Sequence, residues 1–413
     1  MDGERARAAA EKAARESYGK LVAILAKRLR DVSLAEESLA EAFAAALATW
    51  PVRGVPDSPE AWLLTAARHQ ALDDLRRRKR HAAVEGHLLL MTDELASAGP
   101  RDILDDRLAL MFACAHPAID PALHAPLILQ TVLGFDAATI ASAFLVAPAA
   151  MGQRLVRAKQ RIKGAGIPFR IPERGDMQPR LTGVLDAVYA AYTEGWSDPA
   201  GTDSHRRNLA GEAIWLGRLV ASLMPDEPEA LGLLALMLHA EARRAARRDA
   251  AGEFVPLAEQ DTTLWSTDAI DEAEQLLRRA GVMAAPGRFQ LEAAVQSAHN
   301  VRRHGGRADW PAILALYDAL QALTASPVVA VNRAVALGET AGPHAALAAL
   351  DAHANDAELS LYQPYWAARA EFLSRLGRVG EAGEAYLRAI GLESDPALRR
   401  FLQHKRGNLV AQR

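Results

Sequence analysis

The chain has 413 residues, a formal net charge of −3 and one cysteine. That length holds more than one hydrophobic core. The near balance of charge excludes a chain-wide field for nucleic acid and leaves only local patches to meet such a partner. A lone thiol excludes an internal disulfide framework. Half of the residues are apolar, and Ala and Leu dominate over Val, Ile and Thr, so strong helix formers prevail and the expected fold is all-α. Cys114 and His116 are close, but no further Cys or His run completes a zinc pattern. Cys114 reads as a buried, inert thiol, with no metal and no cofactor implied. The start, MDGERARAAAEKAARES, lacks the apolar run of a signal peptide. No segment reaches the roughly 18 apolar residues of a membrane span. A soluble, cytoplasmic chain is expected.

Residues 10–80 form the first block. VSLAEESLAEAFAAALATW (Val32 to Trp50) is an amphipathic helix with acids at Glu36, Glu37 and Glu41. PVRGVPDSPE (Pro51 to Glu60) breaks it with three prolines and a glycine. SPEAWLLTAARHQALDDLRRRKR (Ser58 to Arg80) opens with a Ser cap and an early acid. Trp62, Leu63, Leu64, Ala67, Ala71, Leu72 and Leu75 give it an apolar face, and it ends in the basic run Arg76 to Arg80. Residues 81–105 read as a linker.

Residues 106–164 form the second block. FDAATIASAFLVAPAAMGQRLVRAKQRIK (Phe135 to Lys163) is two short helical patterns separated by a tight break, with Pro148 suited to a first helical turn. Met151, Leu155, Ala158 and Ile162 form one buried stripe in the second helix. Gln153, Arg154, Arg157, Lys159, Arg161 and Lys163 lie opposite or beside it. In a helix-turn-helix, the second helix enters the major groove near its N-terminus. Gln153, Arg154 and Arg157 then face base edges, and Lys159, Arg161 and Lys163 face phosphates. Taken alone, the same pattern also describes an amphipathic helix with a solvated basic face.

Residues 165–179 are a Gly/Pro-rich boundary, and 180–413 are helical to the end. Ala312 with Leu316, Ala346 with Leu350 and Ala382 with Tyr386 recur at spacings of 34 and 36 residues. Trp366, Ala370, Leu373, Gly377, Ala382, Tyr386 and Ala389 fall at tetratricopeptide-repeat offsets; a plain helical bundle is the alternative. The run Arg243, Arg244, Arg247 and Arg248 reads as a solvated helix face.

LAEESLAEAF, the proline loop and PEAWLLTAARHQALDDLRRR resemble regions 2.2 to 2.4 of sigma-70 family sigma factors, in the form of the extracytoplasmic-function group. DDRLALMFACAHPAI and TIASAFLVAPAAMGQRLVRAKQRIKGAGIPF resemble region 4 of the same group. YAAYTEGW, DEPEALGLLALMLHAEARRAAR, SPVVAVNRAVAL and DPALRRFL resemble a subgroup with a long tetratricopeptide-like C-terminal extension, so the likeness spans most of the chain. It implies a non-enzymatic protein that lends promoter specificity to core RNA polymerase. Glu36, Glu37, Glu41 and Phe43, with Leu39 beneath, fall on the segment that docks on a polymerase coiled coil. Trp62, Arg68, Arg76, Arg77 and Arg78 fall on the part that captures and melts the −10 element of promoter DNA. Gln153, Arg154, Arg157, Lys159 and Arg161 fall on the −35 reader. Ala149 and Ala150 stand where relatives often have an acidic or polar residue, which leaves base recognition to Gln153, Arg154 and Arg157. The extension is expected to regulate the sigma part, within the chain or through a regulatory protein. The rival readings are a stand-alone helix-turn-helix regulator with a repeat sensor, and a pure scaffold.

Overall fold

The computed structural model describes residues 2–79, 100–144, 146–196, 204–304 and 308–411, and among them every named element is helical. The all-α expectation holds. The chain divides into two compact units, residues 1–195 with 205–213, and residues 196–204 with 214–413.

In the first unit, α1 (Asp2–Leu29), α2 (Val32–Arg53) and α3 (Pro59–Lys79) pack on one another. Their shared core holds Leu21, Val22, Leu25, Leu34, Leu39, Trp50, Leu63, Ala67 and Ala71, all buried. Asp31 starts α2, its carboxylate accepting from the Leu34 N–H at 3.2 Å and so satisfying an otherwise orphaned donor. The expected break at Pro51 falls later, because α2 runs through Pro51 to Arg53. Proline there removes one hydrogen bond, to the carbonyl a turn earlier. The helix ends within the next turn, where the Gly54 N–H donates to the Trp50 carbonyl at 2.9 Å. The Ser58 carbonyl then accepts from the Trp62 N–H at 3.1 Å, opening α3.

Next come α4 (Pro100–Cys114), a 3-10 turn (Pro121–Leu123), α5 (His124–Thr131), α6 (Ala137–Ala143), α7 (Pro148–Gly164), α8 (Arg174–Trp196) and α9 (Ser204–Leu223), the last divided between the two units. The α4 helix lies on α1, and α6 on α7. Asp136 caps α6, accepting from the Ala138 and Thr139 N–H groups at 2.9 and 2.8 Å. These hydrogen bonds, that to the Thr139 backbone foremost, hold its carboxyl below the usual range. Although 165–179 reads as a boundary, α8 begins inside it and belongs with the first unit. Arg180 of α8 donates to the Phe112 carbonyl at 3.4 Å.

In the second unit, α10 (Pro228–Ala242), α11 (Thr267–Val282), α12 (Arg288–Asn300), α13 (Trp310–Thr324), α14 (Pro327–Ala341) and α15 (Pro343–Asp351) stack largely in sequence order. They are followed by α16 (Ala357–Ser360), α17 (Gln363–Arg375), α18 (Val379–Leu392) and α19 (Pro396–Ala411). The α17–α18 hairpin buries Ala370, Leu373, Ala382, Tyr386 and Ala389, and α15 buries Ala346 and Leu350, as the repeat spacing requires. The earliest unit departs from that register. Ala312 is exposed, and Ile313 is buried instead with Val295 and Ala336.

The run from Arg243 to Arg248 is a correction. The α10 helix stops at Ala242, a 3-10 turn follows, and the arginines do not form a solvated helix face. Arg243 is buried, donates to Gln296 and lies over the Trp265 ring. Arg248 pairs with Asp395 just before α19. Alternation of apolar residues along the run could not show that charged side chains would find carboxylates and amides distant in sequence.

Candidate nucleic-acid interface

The α6–α7 pair is built by its apolar stripe. Ile140 from α6 and Met151, Leu155, Ala158 and Ile162 from α7 are all buried. Pro148 sits in the first turn of α7, its fixed backbone suiting a position that needs no N–H partner. The stripe leaves Gln153, Arg154, Arg157 and Arg161 exposed along the outer face, together with Gln160. The Arg157 Nε lies 3.4 Å from the Gln153 carbonyl, so the guanidinium rests along the helix toward its N-terminus. The face therefore carries guanidinium groups and two amides, which suit base edges and phosphates. Ala149 is exposed and Ala150 half-buried, adding no polar reader to the first turn.

Lys159 is set apart from that face. Its ammonium is 2.6 Å from a carboxylate oxygen of Glu36, with the two side chains only 10% and 15% exposed. Lys163, one turn on, pairs with Asp31 at 2.7 Å. These contacts join α7 to α2. Burial, only partly offset by Lys159, holds the Glu36 carboxyl above its ordinary value.

On α2, Glu37, Ala40, Glu41, Ala44 and Ala48 are exposed along one side. Phe43 is half-buried and Leu39 fully buried, so the acids stand over an apolar base. Glu36 faces α7 instead. The sequence assigned Glu36, Glu37 and Glu41 to one docking surface. The structure leaves Glu37 and Glu41 exposed and engages Glu36 internally.

In the last turn of α2, Val52 is 85% exposed. Trp62 is half-buried, its ring edge-on to Trp50 at 5.5 Å between centroids. That contact anchors Trp62 to the core while leaving part of the ring open. Glu60, in the first turn of α3, accepts from Lys20 at 2.8 Å and from Ser17. Together these contacts outweigh burial and hold its carboxyl below the usual range. Arg68 is half-buried and Arg76 exposed, the latter 3.3 Å from Asp73. The side chains of Arg77 and Arg78, and all of Arg80, lie outside the described residues.

Sequence reasoning missed Asp31, which meets Lys163 between α2 and α7, and Gly19, which seats α1 against the end of α5. Gly19 lies within α1, where glycine costs about 1 kcal/mol relative to alanine. A Cβ there would sit 1.7 Å from the Val132 carbonyl oxygen, just past α5. An otherwise unfavourable glycine in mid-helix was the available signal, because it marks a close backbone approach. Cys114 is fully buried against Thr131, and burial pushes its thiol up to about 12, which makes it inert.

Among the described residues no helix is long and apolar enough to cross a membrane. Residues 14–81 match sigma-70 region 2, which covers α2, α3 and the C-terminal part of α1. Residues 180–281 match a family of unknown function, DUF6596. The chain is 38% identical over 397 residues to the uncharacterized protein R00370 of Rhizobium meliloti (strain 1021), across 94% of this chain and 93% of that one. No solved structure matches. With a region 2 match on α1 to α3 and a relative matched along nearly its whole length, the chain belongs to the family of R00370 and carries a sigma-70 region 2, which supports a sigma factor role in transcription initiation.

Proposed function

We propose that the protein is a sigma factor of the extracytoplasmic-function group that binds core RNA polymerase and directs it to a two-element promoter. The observation that carries this reading is a sigma-70 region 2 followed, in the same compact unit, by a short helix pair with a basic outer face. In this reading α2 docks on the polymerase through Glu37, Glu41 and the apolar base around Phe43. Acidic groups against a basic helical partner set register and speed encounter. Glu36 joins that surface when α2 and α7 part. The Pro-braced loop with Trp62 holds an extruded −10 base, where stacking contributes roughly 1–3 kcal/mol. Arg68 and the basic end of α3, Arg76 to Arg78, meet phosphates and make binding fall steeply with salt. Gln153, Arg154, Arg157 and Arg161 read the −35 element.

The second unit acts in this reading as a regulatory, tetratricopeptide-like array. Stacked hairpins of the α17–α18 kind present curved surfaces to a peptide or a protein domain. Regulation by the array is read out by comparing the full chain with a truncation after Ala213, where the first unit ends.

Run-off transcription with core polymerase tests the whole reading. Promoter-dependent transcripts are expected only when this chain and the core enzyme are both present. Tight, sequence-specific DNA binding by the free chain, with no transcription on adding polymerase, would favour a stand-alone regulator instead. Glu37→Lys is expected to weaken polymerase binding while leaving the α7 face intact, and unchanged polymerase binding would remove Glu37 from the docking surface.

A further inference from the structure

A long connection stands out in the second unit. Gly342 alone joins α14 to α15, and residues 283–287 join α11 to α12, but residues 243–266 separate α10 from α11. A connection of that length within a stack of hairpins is more often functional than passive. Its middle is a small hairpin. Arg248 and Phe254 form an antiparallel bridge, and the Val255 N–H donates to the Arg247 carbonyl at 3.0 Å. The Asp249 carboxylate accepts from the Ala251 and Glu253 N–H groups, each at 2.9 Å. Gly252 takes the positive φ, 78°, that closes the turn. The roots of the connection are fixed. Trp265 packs with Ala242, Ala246 and Ile270, and Arg302, after α12, donates to the carbonyls of Leu257 and Ala258.

The hairpin seats on α19. Arg248 pairs with Asp395, just before that helix, and Glu253 pairs with Arg400 at 2.9 Å. The Phe254 ring lies edge-on to Phe401, with 5.3 Å between centroids. Each side supplies one cation and one anion, which fixes the register, and the aromatic pair adds its own geometry. The ion-paired residues stand 147 positions apart in sequence, so the fold makes this contact rather than chain neighbours. Yet the seat is shallow. Residues 247–264 are all described, and none of them is buried. The Arg400 and Glu253 side chains remain 53% and 43% exposed. Arg248 is more enclosed, and its Nε and Nη1 find no hydrogen-bond partner, so part of its desolvation goes uncompensated.

A segment with fixed roots and a surface-held tip is a ligand on a tether. We propose that the α19 face around Asp395, Arg400 and Phe401 is a peptide-binding site that residues 248–254 fill as an internal ligand. Its partner is a protein segment that presents an aromatic side chain next to a carboxylate, as Glu253 and Phe254 do. The chemistry of the occupant identifies that of the partner. The Arg400 guanidinium takes the carboxylate, the Phe401 ring takes the aromatic edge, and Asp395 takes a cation. The Lys405 ammonium lies 5.8 Å from the Phe401 centroid. The α19 helix also carries Arg399, Arg400 and Arg406 and no acid, which favours an acidic segment. This inference rests on the regulatory reading of the second unit and deepens it by naming the partner's chemistry. A short tether holds the internal ligand at roughly millimolar effective concentration, so a partner displaces it by binding tightly or by arriving joined to a second contact.

The test titrates the full chain with a fluorescent peptide of its own residues 247–255, to roughly millimolar concentration. The unaltered chain is expected to bind it weakly, because the site is filled. Glu253→Ala with Phe254→Ala in the chain empties the site, and affinity for the peptide is expected to rise at least about tenfold. A peptide carrying Glu253→Lys is expected to bind the emptied chain less well, and to recover when the chain also carries Arg400→Glu. Thermal unfolding is followed for each variant, and Glu253→Gln with Phe254→Leu is the milder pair if the first unfolds the second unit. Unchanged affinity in both emptied variants with the fold intact overturns the site. Equal binding of the Glu253→Lys peptide to the emptied chain overturns it as well. Run-off transcription with core polymerase reads the consequence separately, and emptying the site is expected to change transcript yield. Peptide binding as expected with unchanged yield keeps the site and overturns the regulatory reading.

Discussion

The seam between α2 and α7 in the first unit and the seam between α10 and α12 in the second both join helices distant in sequence, by different means. Glu36 with Lys159 and Asp31 with Lys163 hold the first. In the second, a Cβ on Gly232 would lie 2.5 Å from the Gln290 backbone nitrogen. The Glu229 carboxylate accepts from the Phe289 and Gln290 N–H groups, each at 3.0 Å, and so caps α12 from outside it. At the other ends of the same two helices, the buried Asn300 donates to the Nδ1 of His239 at 2.7 Å. An ion pair is exchangeable, because another protein's lysine can replace the one removed. Backbone packed on backbone has no such substitute. The first seam is suited to opening, and the second to staying shut.

Gly232→Val attacks the fixed seam and carries the largest expected effect. Its side chain has no space beside Gln290, and the loss is expected to exceed about 3 kcal/mol. Thermal unfolding should show the second unit's transition falling by several degrees while that of the first stays in place. Equal movement of both would mean that the units unfold together.

The next effect depends on pH. Burial, with Arg243 and Arg303 nearby, pushes the His239 imidazole down to about 3. The unfolded chain regains an ordinary value near 6.5. Between those values the unfolded state binds the extra proton. The stability of the second unit is therefore complete above about pH 6.5 and falls as pH drops. At pH 5 the loss from this group is about 2 kcal/mol. Denaturant titrations at pH 7 and pH 5 measure it, and His239→Gln should flatten the difference.

Arg157→Ala sharpens the comparison from the other side, since Arg157 lies on α7 but outside the α2–α7 seam. Use of the −35 element is expected to weaken by about 1–2 kcal/mol, with polymerase affinity unchanged. Equal loss of both in run-off and binding assays would make the residue structural. Arg218→Ala is expected to matter least. Its pair with Glu272 at 2.7 Å is about half exposed, and solvent screening leaves below about 0.5 kcal/mol. A larger shift in the unfolding midpoint would show that this surface pair belongs to a network.

Much of the helical plan was legible because it rests on local chemistry. The stripe Met151, Leu155, Ala158 and Ile162 follows helical periodicity and is buried as such. Pro148 opens α7 because its fixed backbone suits a first turn that needs no N–H partner. The small residues of α17 and α18 were legible by their spacing. Ala312 was misread, because a one-residue shift in packing register leaves the sequence spacing unchanged. The arginines after α10 were misread because their partners, Gln296 and Asp395, are 53 and 147 residues away.

By itself, the sequence determined that this protein is helical, where most of its helices run, and that region 2 chemistry precedes a basic helix pair. Those properties depend on neighbours within a turn or two, and on residue types that carry their preference with them. Only the tertiary structure decided that Lys159 faces Glu36 rather than the outer face of α7, and that Gly19 seats α1 against Val132. A charged side chain on a helix has several directions open to it, and which one it takes depends on what the rest of the chain brings within reach.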